Sequence, residues 1–145
     1  MTLVPDEYHQ VVDDVLKVFG QVRGPFSMLL HSPKLAARER EGAYVWAAQV
    51  AAARRAGVRE EVIDLIRAKA DPAKHPAEER DIVTYAQQLV RKNRIDQAAF
   101  DALNNRHDVQ WLVELTAAAS YYGFLCGVVS AFEVPAPPDG DQLPA

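Results

Sequence analysis

Between Glu114 and Glu133 the chain runs through 18 residues, Leu115 to Phe132, without a charged side chain. A stretch of that length is long enough to raise a transmembrane reading. Its content argues against one: Thr116, Ala117 to Ala119, Ser120, Tyr121, Tyr122, Gly123 and Gly127 are too small or polar for a lipid-facing surface, and no Lys/Arg cluster flanks them. The better account is a helix buried in a core or at a subunit interface.

The rest of the chain agrees with an all-α fold. Helical periodicity dominates, and no alternating strand of useful length occurs. Tyr8, Val11, Val12, Val15, Leu16 and Phe19 recur at three- and four-residue steps before Gly20, a C-terminal stop. Gly24 to Pro33 reads as a turn-rich apolar segment. Ser32 offers an N-cap, with Pro33 at the first position of a helix through Lys34 and Leu35. Arg38-Glu39-Arg40-Glu41 follows, and four consecutive charges point to every side of a helix, so this turn reads as solvated. A helix from Gly42 to Gly57 ends with Arg54 and Arg55 near its negative pole. Val62, Leu65 and Ile66 mark another amphipathic helix. A further one opens on Pro76 with Glu78, Glu79 and Asp81 early and Arg91 and Lys92 late, and its apolar stripe is Ile82, Val83, Ala86, Leu89 and Val90. Asp96 can cap the segment after it, and Asp108 the long helix from Val109 to about Phe132. The chain thus reads as one helical domain over residues 1–134 and a proline-rich tail, 135–145, that cannot continue the helix and is suited to lying extended over a neighbour.

Charge and composition narrow the function. With 16 Lys+Arg against 20 Asp+Glu in 145 residues, the formal charge is -4 and no basic block stands out. Neither nucleic acid nor an anionic membrane surface is an expected partner. Cys126 is the only cysteine, so no internal disulfide or Cys-x-x-Cys pair can form within one subunit. Its apolar surroundings are expected to raise the thiol pKa. His9, His31, His75 and His107 lie far apart, with no partner at ligand spacing, and read as surface or capping residues rather than a metal site. Glycine-rich phosphate loops and a nucleophile elbow are absent from the sequence, so no cofactor is expected. The segment MTLVPDEYHQ does not read as a secretory signal, which makes a cytoplasmic protein the expectation.

Gln49 is the one strongly polar residue between Ala43 and Ala53. Burying an amide without a partner costs roughly 1 to 3 kcal/mol, and its neighbours on the helix offer little beyond backbone. Its partner must be another helix, a water or a ligand. Glutamine does not titrate near neutrality, so it can bind or orient but cannot act alone as general acid or base. Both a satisfied core amide and a ligand-facing group remain open.

Taken together, GPFSMLLHSPKLA, AYVWAAQVAAARRAGV with REEVIDLIRA, and WLVELTAAASYYGFLCGVVSAFEVPAPP resemble, in order and over most of the chain, the carboxymuconolactone decarboxylase family, which includes the alkylhydroperoxidase D-like proteins. The resemblance implies an alkylhydroperoxidase D-like helical domain that assembles into homo-oligomers, trimers or hexamers, with pockets near the motif helices. It also implies a small organic acid or lactone as ligand and a decarboxylase (lyase) reaction if the chain is active.

The departures from the family pattern matter as much. Redox-active relatives carry Cys-x-x-Cys and then His where this chain has Gly42, Val45 and Gln49. Relatives without the thiols keep Tyr-Glu-Trp-x-x-His, against Tyr44-Val45-Trp46-Ala47-Ala48-Gln49. A helix that relatives place between the His-Ser-Pro segment and the Trp-bearing helix is reduced to Arg38 to Glu41, which leaves Glu39 or Glu41 without the turns that would aim it at Gln49. Trp46, Gln49 and Tyr122 are therefore the candidate substrate-binding residues, and Glu41 and His31 the candidate acid/base groups that decarboxylation would need. The alternative is a catalytically silent structural or ligand-binding oligomer of the same fold. Thiol peroxidase activity is the least expected outcome.

Overall fold

A computed structural model describes residues 31–144, with side chains from Lys34 onward. All regular structure among these residues is helical: α1 (His31–Glu39), α2 (Ala43–Arg55), α3 (Glu60–Arg67), a 3-10 turn (Pro72–Lys74), α4 (Ala77–Lys92), α5 (Gln97–Asn104) and α6 (Val109–Ala131). The expected helix over Tyr8 to Phe19 and the segment from Gly24 to Leu30 lie outside the described residues.

Capping chemistry sets several boundaries. Asp96 accepts from the Ala99 amide and Asp108 from the Trp111 amide, each at 2.8 Å, so α5 and α6 begin where a carboxylate satisfies an orphan N–H. Asn93 ends α4 in the left-handed region at φ 52°. The start of α1 differs from expectation. The helix already includes His31, so Ser32 lies within it rather than at its cap.

Short α1 is central, packing against α6, α4, α2 and α3. Leu35, Ala36 and Ala37 are all buried on it, because small side chains let helices approach on several sides at once. One core cluster gathers Trp46, Val50, Ile63, Ile66, Val83 and Cys126; a second gathers Ile82, Tyr85, Leu103, Trp111, Leu112 and Leu115. The long α6 serves both. It is long and apolar enough to cross a membrane by length and composition alone, yet Leu112, Leu115, Ala119 and Cys126 are buried within the fold. Val109, Val113, Phe124 and Phe132 stay exposed.

The four-charge run departs from the solvated turn that it suggests. Arg40 and Glu41 are exposed, but Arg38 and Glu39 belong to α1 and their side chains are only 12% and 8% exposed. Each is held by a partner distant in sequence. Arg38 donates to the Arg67 carbonyl at 2.6 Å, and Glu39 accepts from Arg91 at 2.6 and 2.9 Å. Burial is tolerated because both charges are paired.

The tail folds back over its own chain. Gly140 closes a turn onto the Pro137 carbonyl, and a Cβ there would lie 2.9 Å from that of Ala47, so only glycine permits this approach to α2. Val134 and Leu143 pack against the first core cluster.

Candidate functional site

Gly42 of the loop before α2 sits against Cys126 of α6, and Gln49 faces Tyr122 one turn earlier on α6; the two helices therefore run in opposite directions along this contact. The half-buried Gln49 amide meets the half-buried Tyr122 phenol. Burial pushes that phenol above its ordinary range, and the nearby Gln49 amide offsets part of the rise. Glutamine does not titrate, and the raised phenol stays protonated near neutrality, a weak proton donor and no base. Tyr121 meets Tyr122 edge to face, with ring centroids 5.4 Å apart.

Trp46 shares the helix with Gln49 but serves another contact. Fully buried, it donates its indole N–H to Asp141 Oδ1 at 2.8 Å. Arg67 grips both oxygens of the same carboxylate at 3.0 and 2.9 Å while its guanidinium lies 5.7 Å from the Trp46 ring centroid, and Arg54 adds a bond at 2.9 Å. Burial alone would raise the Asp141 pKa, but the bonds from Trp46, Arg67 and Arg54 prevail and hold it below the ordinary value. Trp46 is thus an anchor for the tail.

The candidate acid/base groups are not assembled around Gln49. Glu41 is exposed in a left-handed turn at φ 54° and pairs with Lys69 at 3.5 Å and Arg38 at 3.9 Å. Glu39 is held by Arg91. The His31 backbone is the first residue of α1, and its side chain lies outside the described residues. Cys126 is buried, and desolvation pushes its thiol up to about 11, with only a partial counter-effect from Arg40. That thiol stays protonated at neutral pH.

A second polar cluster escaped the sequence reading. Lys34 is 0% exposed and His75 2% exposed, and among the described residues neither the Lys34 Nζ nor either His75 ring nitrogen has a hydrogen-bond partner. The reading of His75 as a surface residue is therefore corrected: its ring is inside, between the 3-10 turn and the start of α4. Glu79, also buried, accepts from Arg59 at 2.9 and 3.2 Å. Desolvation lowers the Lys34 pKa to about 8 and lowers that of His75, while the Glu79 charge opposes both shifts. One clue stood in the sequence. Lys34 precedes Leu35-Ala36-Ala37, a run that leaves its turn of helix no outward face. No group of three or more His, Cys, Asp or Glu suited to holding a metal ion occurs among the described residues.

A cavity of about 260 Å³ lies away from Gln49, between the last turns of α4 and the middle of α6, with Arg40 on its wall.

Compared with protein-family models, curated proteins and solved structures, the chain finds no match.

Proposed function

We propose that this chain is a catalytically silent member of the carboxymuconolactone decarboxylase type, a cytoplasmic, self-assembling helical protein that binds a small organic acid or lactone without transforming it. The observation that carries this reading is the Gln49–Tyr122 contact. An amide beside a phenol of raised pKa offers only a weak proton donor, and a lyase needs a group that delivers a proton to carbon. Two further features support it. Glu41 is committed to Lys69 at the surface, and the Cys126 thiol is protonated and packed against Gly42. Self-assembly through the alkylhydroperoxidase D-like fold is supported by Val109 and Val113, one helical turn apart and both exposed on α6.

The test is turnover by the purified protein. Organic hydroperoxides and a panel of unsaturated lactones and muconate-type acids are incubated with it and followed for peroxide loss, carbon dioxide and new products. Rates equal to those of buffer are expected. Turnover that disappears in both Gln49→Leu and Tyr122→Phe would overturn the proposal.

A further inference from the structure

Four consecutive charges link α1 to α2, and three of them are accounted for. Arg38 donates to the Arg67 carbonyl, Glu39 is held by Arg91, and Glu41 by Lys69. Among the described residues, the Arg40 side chain has neither an ion pair nor a hydrogen bond, and it forms part of the wall of the 260 Å³ cavity. Its planar guanidinium fork matches a carboxylate through two parallel N–H···O bonds.

The remaining walls specify what accompanies the negative charge. Leu89 and Val90 of α4 supply an apolar side, and Asn93 and Ser120 place an amide and a hydroxyl on the same cavity. Phe124 completes it with a ring that is 64% exposed, a large apolar surface left open to solvent. A cation beside the C-terminal end of α4 would be favourable with no ligand at all. That electrostatic role does not account for a cavity that joins polar groups to an apolar side, or for the exposed ring beside it.

We propose that this cavity binds a small monocarboxylate with an apolar body, a single aromatic ring or a short aliphatic chain. Arg40 takes the carboxylate, Asn93 and Ser120 complete its hydrogen bonds, and Phe124 covers the body. The volume lies just below the roughly 300 Å³ at which pockets for drug-sized ligands begin, which limits the body to about one ring. A dicarboxylate is disfavoured because Arg40 is the one cation among the described lining residues. The inference rests on the reading of the chain as a binder of small acids, but it sets the acid apart from Gln49 and Tyr122.

The test is calorimetric titration of the full chain with benzoate and hexanoate, and with benzamide as the uncharged analogue of benzoate. Both acids should bind saturably, benzamide at least about tenfold more weakly, and Arg40→Gln should lose at least about tenfold in affinity for benzoate. Gly123→Leu provides a second variant, since a Cβ at Gly123 meets nothing within 4 Å and the added side chain would fill the cavity. It should abolish binding while the circular dichroism spectrum and Tm stay near those of the parent. Gln49→Leu should bind as the parent does. Equal binding of benzoate and benzamide, no saturable binding, or undiminished affinity in Arg40→Gln would overturn the site. Binding that depends on Gln49 and not on Arg40 would remove this site and leave the protein a binder of acids; turnover of the bound acid would remove the silent reading and leave the site.

Discussion

Trp46 and Asp141 are 95 residues apart and joined by a hydrogen bond of 2.8 Å from the indole N–H to the carboxylate. With Arg67 and Arg54 on the same carboxylate, this bond fixes the C-terminal segment to α2 and α3. Asp141→Ala leaves a buried indole N–H without an acceptor, which costs about 1 to 3 kcal/mol. We expect a lower Tm and a red-shifted Trp46 emission, read by urea unfolding and fluorescence. An unchanged spectrum would mean that the tail is not seated there. Because the folded Asp141 pKa is depressed, its contribution is complete above the ordinary value of 3.8 and is lost as the pH falls below it.

Lys34 is a penalty rather than a gain, and it is read at the basic end. Its folded pKa is about 8 and its ordinary value 10.5, so between them the unfolded chain binds more protons and stability rises with pH. Below pH 8 the full penalty applies, about 3 kcal/mol. Lys34→Met should therefore stabilise the protein at pH 7 by about 1 to 3 kcal/mol, since an unpaired buried charge is replaced by an apolar chain of similar length. The difference between parent and variant should shrink as the pH rises from 8 to 10.5. A gap that is constant with pH, or a destabilised variant, would contradict the burial of an unpartnered amine.

His75 acts on the acid side. Its folded pKa is depressed by burial, so protonation favours the unfolded chain and stability falls as the pH drops below 6.5. A series of thermal melts from pH 7.5 to 5 should show a fall that His75→Leu reduces. Parallel curves for parent and variant would place the imidazole in water.

Gly42 and Cys126 are in such close contact that a Cβ at position 42 would come within 2.6 Å of the sulfur. The backbone of Gly42, at φ -77°, would accept alanine, so the penalty for Gly42→Ala is steric and on the order of 1 to 3 kcal/mol. Adding Cys126→Ala should recover part of it, and the two substitutions should be non-additive by about 1 kcal/mol in a double-mutant cycle. With a thiol pKa of about 11, alkylation of native Cys126 at neutral pH should be slow and should accelerate on unfolding.

What the sequence conveys well is local. Hydrophobic periodicity marks α3 and α4 as helices, long runs nearly free of charge mark α2 and α6, and Asp96 and Asp108 announce the starts of α5 and α6 because a cap acts on amides three residues away. Tertiary partners leave no such trace. Glu39 is buried because Arg91 reaches it across 52 residues, and Asp141 is anchored by side chains 74, 87 and 95 positions away. The same limit applies to the candidate site. The sequence raises the problem of Gln49's partner and names Tyr122 as its companion in a pocket; the approach of the two depends on how α2 lies on α6. Trp46, nominated for the same pocket, has its polar edge turned to a tail that reads as a mere appendage. The burial of Lys34 and His75 leaves no comparable trace either, since a lone Lys in a helix and a His beside a proline read as surface residues while tertiary packing encloses both.

The central claim is that the Gln49 carboxamide is answered from within the protein by Tyr122. It is tested most directly by a double-mutant cycle on stability with Gln49→Leu and Tyr122→Phe, each measured by urea unfolding. Each single change leaves a half-buried polar partner unanswered, whereas the double change removes both, so the pair should show a coupling of about 1 kcal/mol, with the double variant no less stable than either single one. Simple additivity of the two substitutions would mean that the amide and the phenol do not serve each other, and would contradict the account.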